Sequence, residues 1–141
     1  MPIESDHELR EILKSARTVA SVGVSSNPEK PSYGIFQYLL EAGYRMIPVN
    51  PTTPSILGRP TYPDVPSIPE KIDVVQVFRK SEDVPPVVEQ AIKAGARVVW
   101  MQEGIVNEAA AARAEKAGLK VVMDRCMRET HRRLFGGLKQ L

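Results

Sequence analysis

The residues best suited to chemistry lie in one short run, "SVGVSSNPEKPSYG", residues 21–34. It follows an apolar stretch and precedes an amphipathic one. Gly23 permits a tight turn off a strand. Ser25, Ser26 and Asn27 set short polar side chains beside backbone N–H groups, and Lys30 adds a mobile positive charge. A helix opening after such a loop aims its positive end at the same place. Together these features suit an anion, a phosphate above all, with the N–H groups of residues 24–26 as donors. The same residue types also make an ordinary strand-to-helix turn with a capping serine.

A nicotinamide dinucleotide fits this loop poorly. There is one glycine where that fingerprint has three. The next apolar run ends "PVNP", and Asn50 stands where a carboxylate would hold a ribose diol. An amide oxygen cannot take two hydroxyl protons as a carboxylate does.

The other reactive groups are few. His7 and His131 fall in terminal helical segments and read as structural. Glu103 and Asp124 can be paired as acid and base, but Glu103 belongs to a "QEGI" turn and Asp124 suits a cap for the last helix. Trp100 lies inside an apolar run and reads as core, whereas Phe78 ends a run and can line a pocket. Cys126 reads as a buried thiol.

Repeated helix–strand units position these residues. "LLEAGYRMIPVN", "AIKAGARVVWMQ" and "AEKAGLKVVMDR" each run from a helix through Ala-Gly to a basic residue and an apolar strand. Gly43, Gly95 and Gly118 fit the left-handed position that ends a helix. Strands are expected at 18–23, 45–49, 73–78, 97–101 and 120–123. Their unbroken apolar character suits a parallel sheet covered on both faces. Val84, Val87, Val88, Ala91 and Ile92 follow helical spacing, as do Ile35, Phe36, Leu39 and Leu40. "SDHE" at 5–8 forms a capping box for a first helix carrying Leu9, Ile12 and Leu13, and Asn107 caps an alanine-rich helix. Residues 50–72 hold six of the twelve prolines, so extended chain with a short turn near 67–71 replaces a crossover helix there. The expectation is one α/β domain over residues 1–141, with a doubly wound parallel sheet of about five strands in three α/β/α layers and strand order 3-2-1-4-5. Ligands of such sheets bind beyond the carboxyl ends of the strands.

Composition narrows the class. A net charge of +2 gives no general attraction for nucleic acid. Residues 124–141 carry five basic and two acidic side chains, Lys139 among them, a net +3 that reads as a solvated helix face. No run approaches membrane-spanning length, and "MPIESDHELREIL" lacks the basic flank and apolar heart of a signal peptide. One cysteine excludes an internal disulfide, and a cytoplasmic location is expected.

Taken in order, "VGVSSNP", "PVNP", "LGRPTYPDV", "DVVQVFR", "QEGI" and "DRCM" resemble the CoA-binding domain of the succinyl-CoA synthetase alpha subunit and, more closely, the small CoA-binding proteins related to it. The resemblance spans about residues 15–135 and implies a Rossmann-like fold. It implies CoA contacts at Gly23, Val24, Ser25 and Ser26, at Asn50 and Pro51, and at Met101, Gln102 and Glu103. The synthetase has a lysine shortly after its second strand, where Thr53 stands here, so Lys30, Arg79 and Arg59 become the candidates for the 3′-phosphate. The synthetase also works through a phosphohistidine in a separate domain, which these residues do not include.

The sequence therefore points to a protein that binds coenzyme A or an acyl-CoA at the sheet edge, with Phe78 also lining the site, and performs no catalysis alone. No metal is expected. Two alternatives stand beside this: an acyl-transfer enzyme using Cys126, and a CoA-sensing module that docks on a partner protein.

Overall fold

The computed structural model describes residues 1–136. In chain order its elements are α1 (Asp6–Ser15), β1 (Thr18–Val22), α2 (Pro31–Glu41), β2 (Arg45–Val49), β3 (Ser55–Ile56), β4 (Arg59–Pro60), β5 (Val74–Val77), α3 (Val84–Lys93), β6 (Val98–Met101), α4 (Glu108–Lys116), β7 (Lys120–Val122) and α5 (Met127–Phe135). Five strands form one parallel sheet, and β3 pairs with β4 in a small hairpin.

The local signals behave as their chemistry requires. Ser5 accepts from the Glu8 N–H at 3.2 Å and starts α1. Asn107 accepts from the Ala110 N–H at 2.9 Å and starts α4. Gly43, Gly95 and Gly118 take φ of 106°, 75° and 94° where helices end. All four residues of β5 and of β6 are buried, as expected for strands covered on both faces.

The strand order differs from the one expected. It is β2-β1-β5-β6-β7, so the third long strand joins the first rather than the second. Val19 to Val22 of β1 lie against Val74 to Val77 of β5. The reason lies in the connection at 50–72. Its Val65, Ile68 and Ile72 pack into the core beneath α3 and α4, while α1, α2 and α5 cover the opposite face. A right-handed crossover on the opposite face reverses the direction of winding. The chain after β2 therefore passes back over β1, and the switch point falls between β1 and β5. The connection holds no helix, as its prolines require, but it does contain the β3–β4 hairpin. Leu57 and Gly58, with φ of 49° and 75°, form its two-residue turn.

Asp73 fixes the start of this junction. Its carboxylate accepts from the N–H groups of Arg17 at 2.9 Å and Thr18 at 3.0 Å.

Candidate ligand site

The loop after β1 is built around Gly23. Its φ is 88°, and a Cβ there would lie 3.0 Å from the Phe78 carbonyl oxygen and 3.3 Å from Arg79 Cδ. The glycine thus lets the exits of β1 and β5 touch. Downstream, the loop is held by its own side chains. The Ser25 N–H donates to Ser32 Oγ at 2.9 Å, and the Asn27 N–H to Ser25 Oγ at 3.0 Å. Asn27 Oδ1 accepts from the Glu29 N–H at 3.0 Å. Of the three N–H groups expected to face a phosphate, that of Ser25 is therefore engaged. Those of Val24 and Ser26 have no acceptor among the described residues, and the Ser25 hydroxyl keeps its proton to donate. Val24 itself is buried. Lys30 is the exposed N-cap residue of α2.

Asn50 ties the end of β2 to this loop. Its Nδ2 donates to the Val24 carbonyl at 3.0 Å, and its Oδ1 accepts from the N–H and hydroxyl of Thr52, each at 2.9 Å. Beyond it lies a cleft of about 320 Å³, lined by Asn50, Pro51, Thr52, Thr53 and Pro54 among others. Arg79 lies in a neighbouring cleft of about 240 Å³ with Asp83 and Gln90 of the α3 side.

Under the edge runs a buried polar chain. Ser21 Oγ donates to Gln76 Oε1 at 2.9 Å. Gln76 Nε2 donates to Gln102 Oε1 at 3.1 Å, which also accepts from the Met127 N–H at 3.0 Å. All three polar side chains are buried. Gln102 thus pins the start of α5. Met101 points its side chain into the core beneath α3 and α4, while Glu103 is exposed. Phe78 is half-buried against the core on the other face. Trp100 is core, as expected, and its indole N–H donates to the Arg125 carbonyl at 2.9 Å.

Asp124 does not cap the last helix. The N-cap is Cys126. Asp124 has φ of 59° and accepts from the Gly104 N–H at 2.6 Å, so it closes the "QEGI" turn instead. Asp124 and Glu103 do line a cleft of about 440 Å³ with Arg125, Cys126 and Thr130.

His131 is fully buried, not at the surface, and has no place at this edge. Arg132 and Arg133 pair with Glu129 and Asp6, as a solvated helix face would, while Lys139 lies outside the described residues. Among the described residues no group of three or more metal-ligating side chains converges, and no helix is long and apolar enough to cross a membrane. A cavity of about 640 Å³ lies at the other end of the sheet between Ile12, Val74, Val98 and Leu119, remote from the loops just described. Its lining holds no histidine or cysteine; of its two carboxylates, Asp73 is spent on β1 and Glu11 belongs to α1.

Ser32 and Gln76, which hold the loop and the sheet edge through their hydrogen bonds, are not among the residues singled out from the sequence. Ser32 is a polar residue three before Ile35 on the inner stripe, and Gln76 is the one polar residue inside "VVQVF". Each is an interruption of an apolar pattern and was legible as such.

Residues 17–132 match the model of a family described as a CoA binding domain. The Bacillus subtilis (strain 168) protein YneT is 39% identical over 127 residues, 90% of this chain and 94% of its own length. The alpha subunit of the ADP-forming acetate–CoA ligase I of Pyrococcus furiosus is 34% identical over 95 residues, 63% of this chain but 21% of that subunit. Among solved structures, a hypothetical protein from Pyrococcus horikoshii OT3 superposes with a TM-score of 0.91 at 46% identity, covering 95% of this chain and 96% of the other.

Proposed function

Because the chain belongs to the CoA binding domain family, we propose that it binds coenzyme A or an acyl-CoA at the carboxyl edge of the sheet, beside the β1–β5 switch point. The phosphates lie on the loop from Gly23 to Asn27, with Lys30 and Arg79 at its margins. Adenine lies toward the Asn50–Pro54 cleft, and the pantetheine arm runs past Phe78 toward Gln102 and Glu103. The observation that carries this reading is the pair of unengaged N–H groups on Val24 and Ser26, with the Ser25 hydroxyl beside them, at the start of α2. Such donors suit an anionic oxygen. CoA supplies a flexible arm and a 3′-phosphate that NAD lacks.

The chain performs no chemistry alone in this reading. The imidazole on the helix that Cys126 starts, His131, is buried and engaged with Tyr38, so it does not serve the thiol as a base. Isothermal titration with CoA, dephospho-CoA and NAD tests the binding. CoA should bind at least tenfold tighter than NAD, and equal affinities would overturn the assignment. Turnover of an acyl-CoA that Cys126→Ser abolishes would favour the acyl-transfer alternative. CoA-dependent retention of a second protein would favour the docking module.

A further inference from the structure

Besides Lys30, Arg79 and Arg59, the candidates that the sequence offers for holding a phosphate, another cation lies against the first turn of α2. Arg128 is the second residue of α5, and the start of that helix is pinned by Gln102 through the Met127 N–H. Its Nη1 lies 3.4 Å from where a Cβ on Gly34 would be, so the guanidinium rests on the first turn of α2, where the Gly23–Lys30 loop ends. Gly34 gives it room to do so.

Arg128 is also poorly partnered. Arg45, Arg113 and Arg133 each make charge-assisted hydrogen bonds to a carboxylate. Among the described residues the Arg128 guanidinium donates to none, and its Nε is buried without an acceptor. The carboxylate paired with it, Glu129 Oε1, stands 3.5 Å away and lies closer, at 2.8 Å, to Arg132. The side chain as a whole is 29% exposed. A guanidinium with unused donors matches the oxygens of a phosphate. We propose that Arg128, laid over Gly34, holds a phosphate group of the ligand. This rests on the CoA reading, and either the pyrophosphate or the 3′-phosphate supplies the same chemistry.

The test is titration of wild type, Arg128→Gln and Arg128→Lys with CoA, dephospho-CoA and pantetheine, with thermal unfolding to verify folding. Arg128→Gln should weaken CoA at least tenfold and leave pantetheine, which has no phosphate, unchanged. Arg128→Lys should fall between the two for CoA. A loss that persists with dephospho-CoA assigns the pyrophosphate, and a loss that vanishes there assigns the 3′-phosphate. If Arg128→Gln does not fold, Arg128→Lys decides, and CoA affinity equal to wild type overturns the inference. Equal weakening toward CoA and pantetheine overturns it too, because that marks a structural role. Wild type binding CoA while the variants bind it equally well defeats only Arg128. Wild type failing to bind CoA defeats the CoA reading as well.

Discussion

The hydroxyl of Tyr38 and Nδ1 of His131 lie 2.7 Å apart and share a hydrogen bond that joins α2 to α5 inside the protein. Tyr44 and Phe135 pack on the same imidazole, with ring centroids 6.1 and 5.0 Å away, and its Nε2 has no partner among the described residues. Burial holds the His131 pKa below its ordinary value. The unfolded chain therefore takes up a proton at a pH where the folded one does not. Stability from this site is complete above the unfolded pKa of about 6.5 and is lost as pH falls from there through the folded value. The melting temperature should drop between pH 7 and pH 5. His131→Phe should flatten that drop, while costing about 1–3 kcal/mol at pH 7 because the Tyr38 hydroxyl is left without its partner. A variant as pH-sensitive as wild type would show that another group controls the acid limb.

Gly23 should prove structurally sensitive whether or not ligand is present. Alanine there must hold a left-handed backbone and place its methyl 3.0 Å from the Phe78 carbonyl. The backbone strain alone is about 1–2 kcal/mol, and the contact adds to it. Denaturant unfolding of ligand-free Gly23→Ala should show a loss of about 2 kcal/mol or more. A stability equal to wild type would mean that the β1 and β5 exits can part without cost. Loss of CoA binding in this variant is consequently no test of phosphate contact.

The buried chain from Ser21 to Gln102 should show coupling. Gln76→Leu leaves the buried Ser21 hydroxyl without its acceptor and Gln102 Oε1 with the Met127 N–H alone, at a cost of about 1–3 kcal/mol. Ser21→Ala together with Gln76→Leu removes the orphaned hydroxyl, so the double variant should lose less than the sum of the singles. Additive losses, measured by urea unfolding, would show that the three side chains act independently.

Cys126 is 9% exposed and lines the cleft with Glu103 and Asp124. If the pantetheine arm ends there, attack of its thiolate on CoA disulfide should release one CoA thiol and leave one CoA on the protein. Intact-mass measurement should find that single adduct, absent in Cys126→Ser and reversed by reductant. Ready labelling by a small alkylating reagent with no CoA adduct would place the thiol end elsewhere.

Local patterns were legible because each has a local cause. The Ser5 and Asn107 caps and the helix-ending glycines all depend on neighbours within a few residues. The strand order was misread because it depends on which face the 50–72 connection covers. Val65, Ile68 and Ile72 are apolar on either topology, and prolines remove the helical period that would have shown a face. Asp124 was misread for a similar reason. A carboxylate three residues before a helix suits a cap, and only the fold brings the Gly104 N–H within 2.6 Å. The site's loops could be named from sequence. Which of their donors were already spent, as the Ser25 N–H is on Ser32, could not.

The place of β1 between β2 and β5 bears on how the chain emerges from a ribosome. Once β2 has been made, a β1–α2–β2 unit can close, but the other edge of β1, from Val19 to Val22, then waits for Val74 to Val77. An open apolar edge on a nascent chain invites the wrong strand. The stretch synthesised during that wait carries Pro51, Pro54, Pro60, Pro63, Pro66 and Pro69. Proline has no N–H to give a ladder, so this stretch competes poorly for the vacant edge. Replacing those prolines would extend the opportunity for mispairing during vectorial synthesis, even where the finished fold tolerated the change.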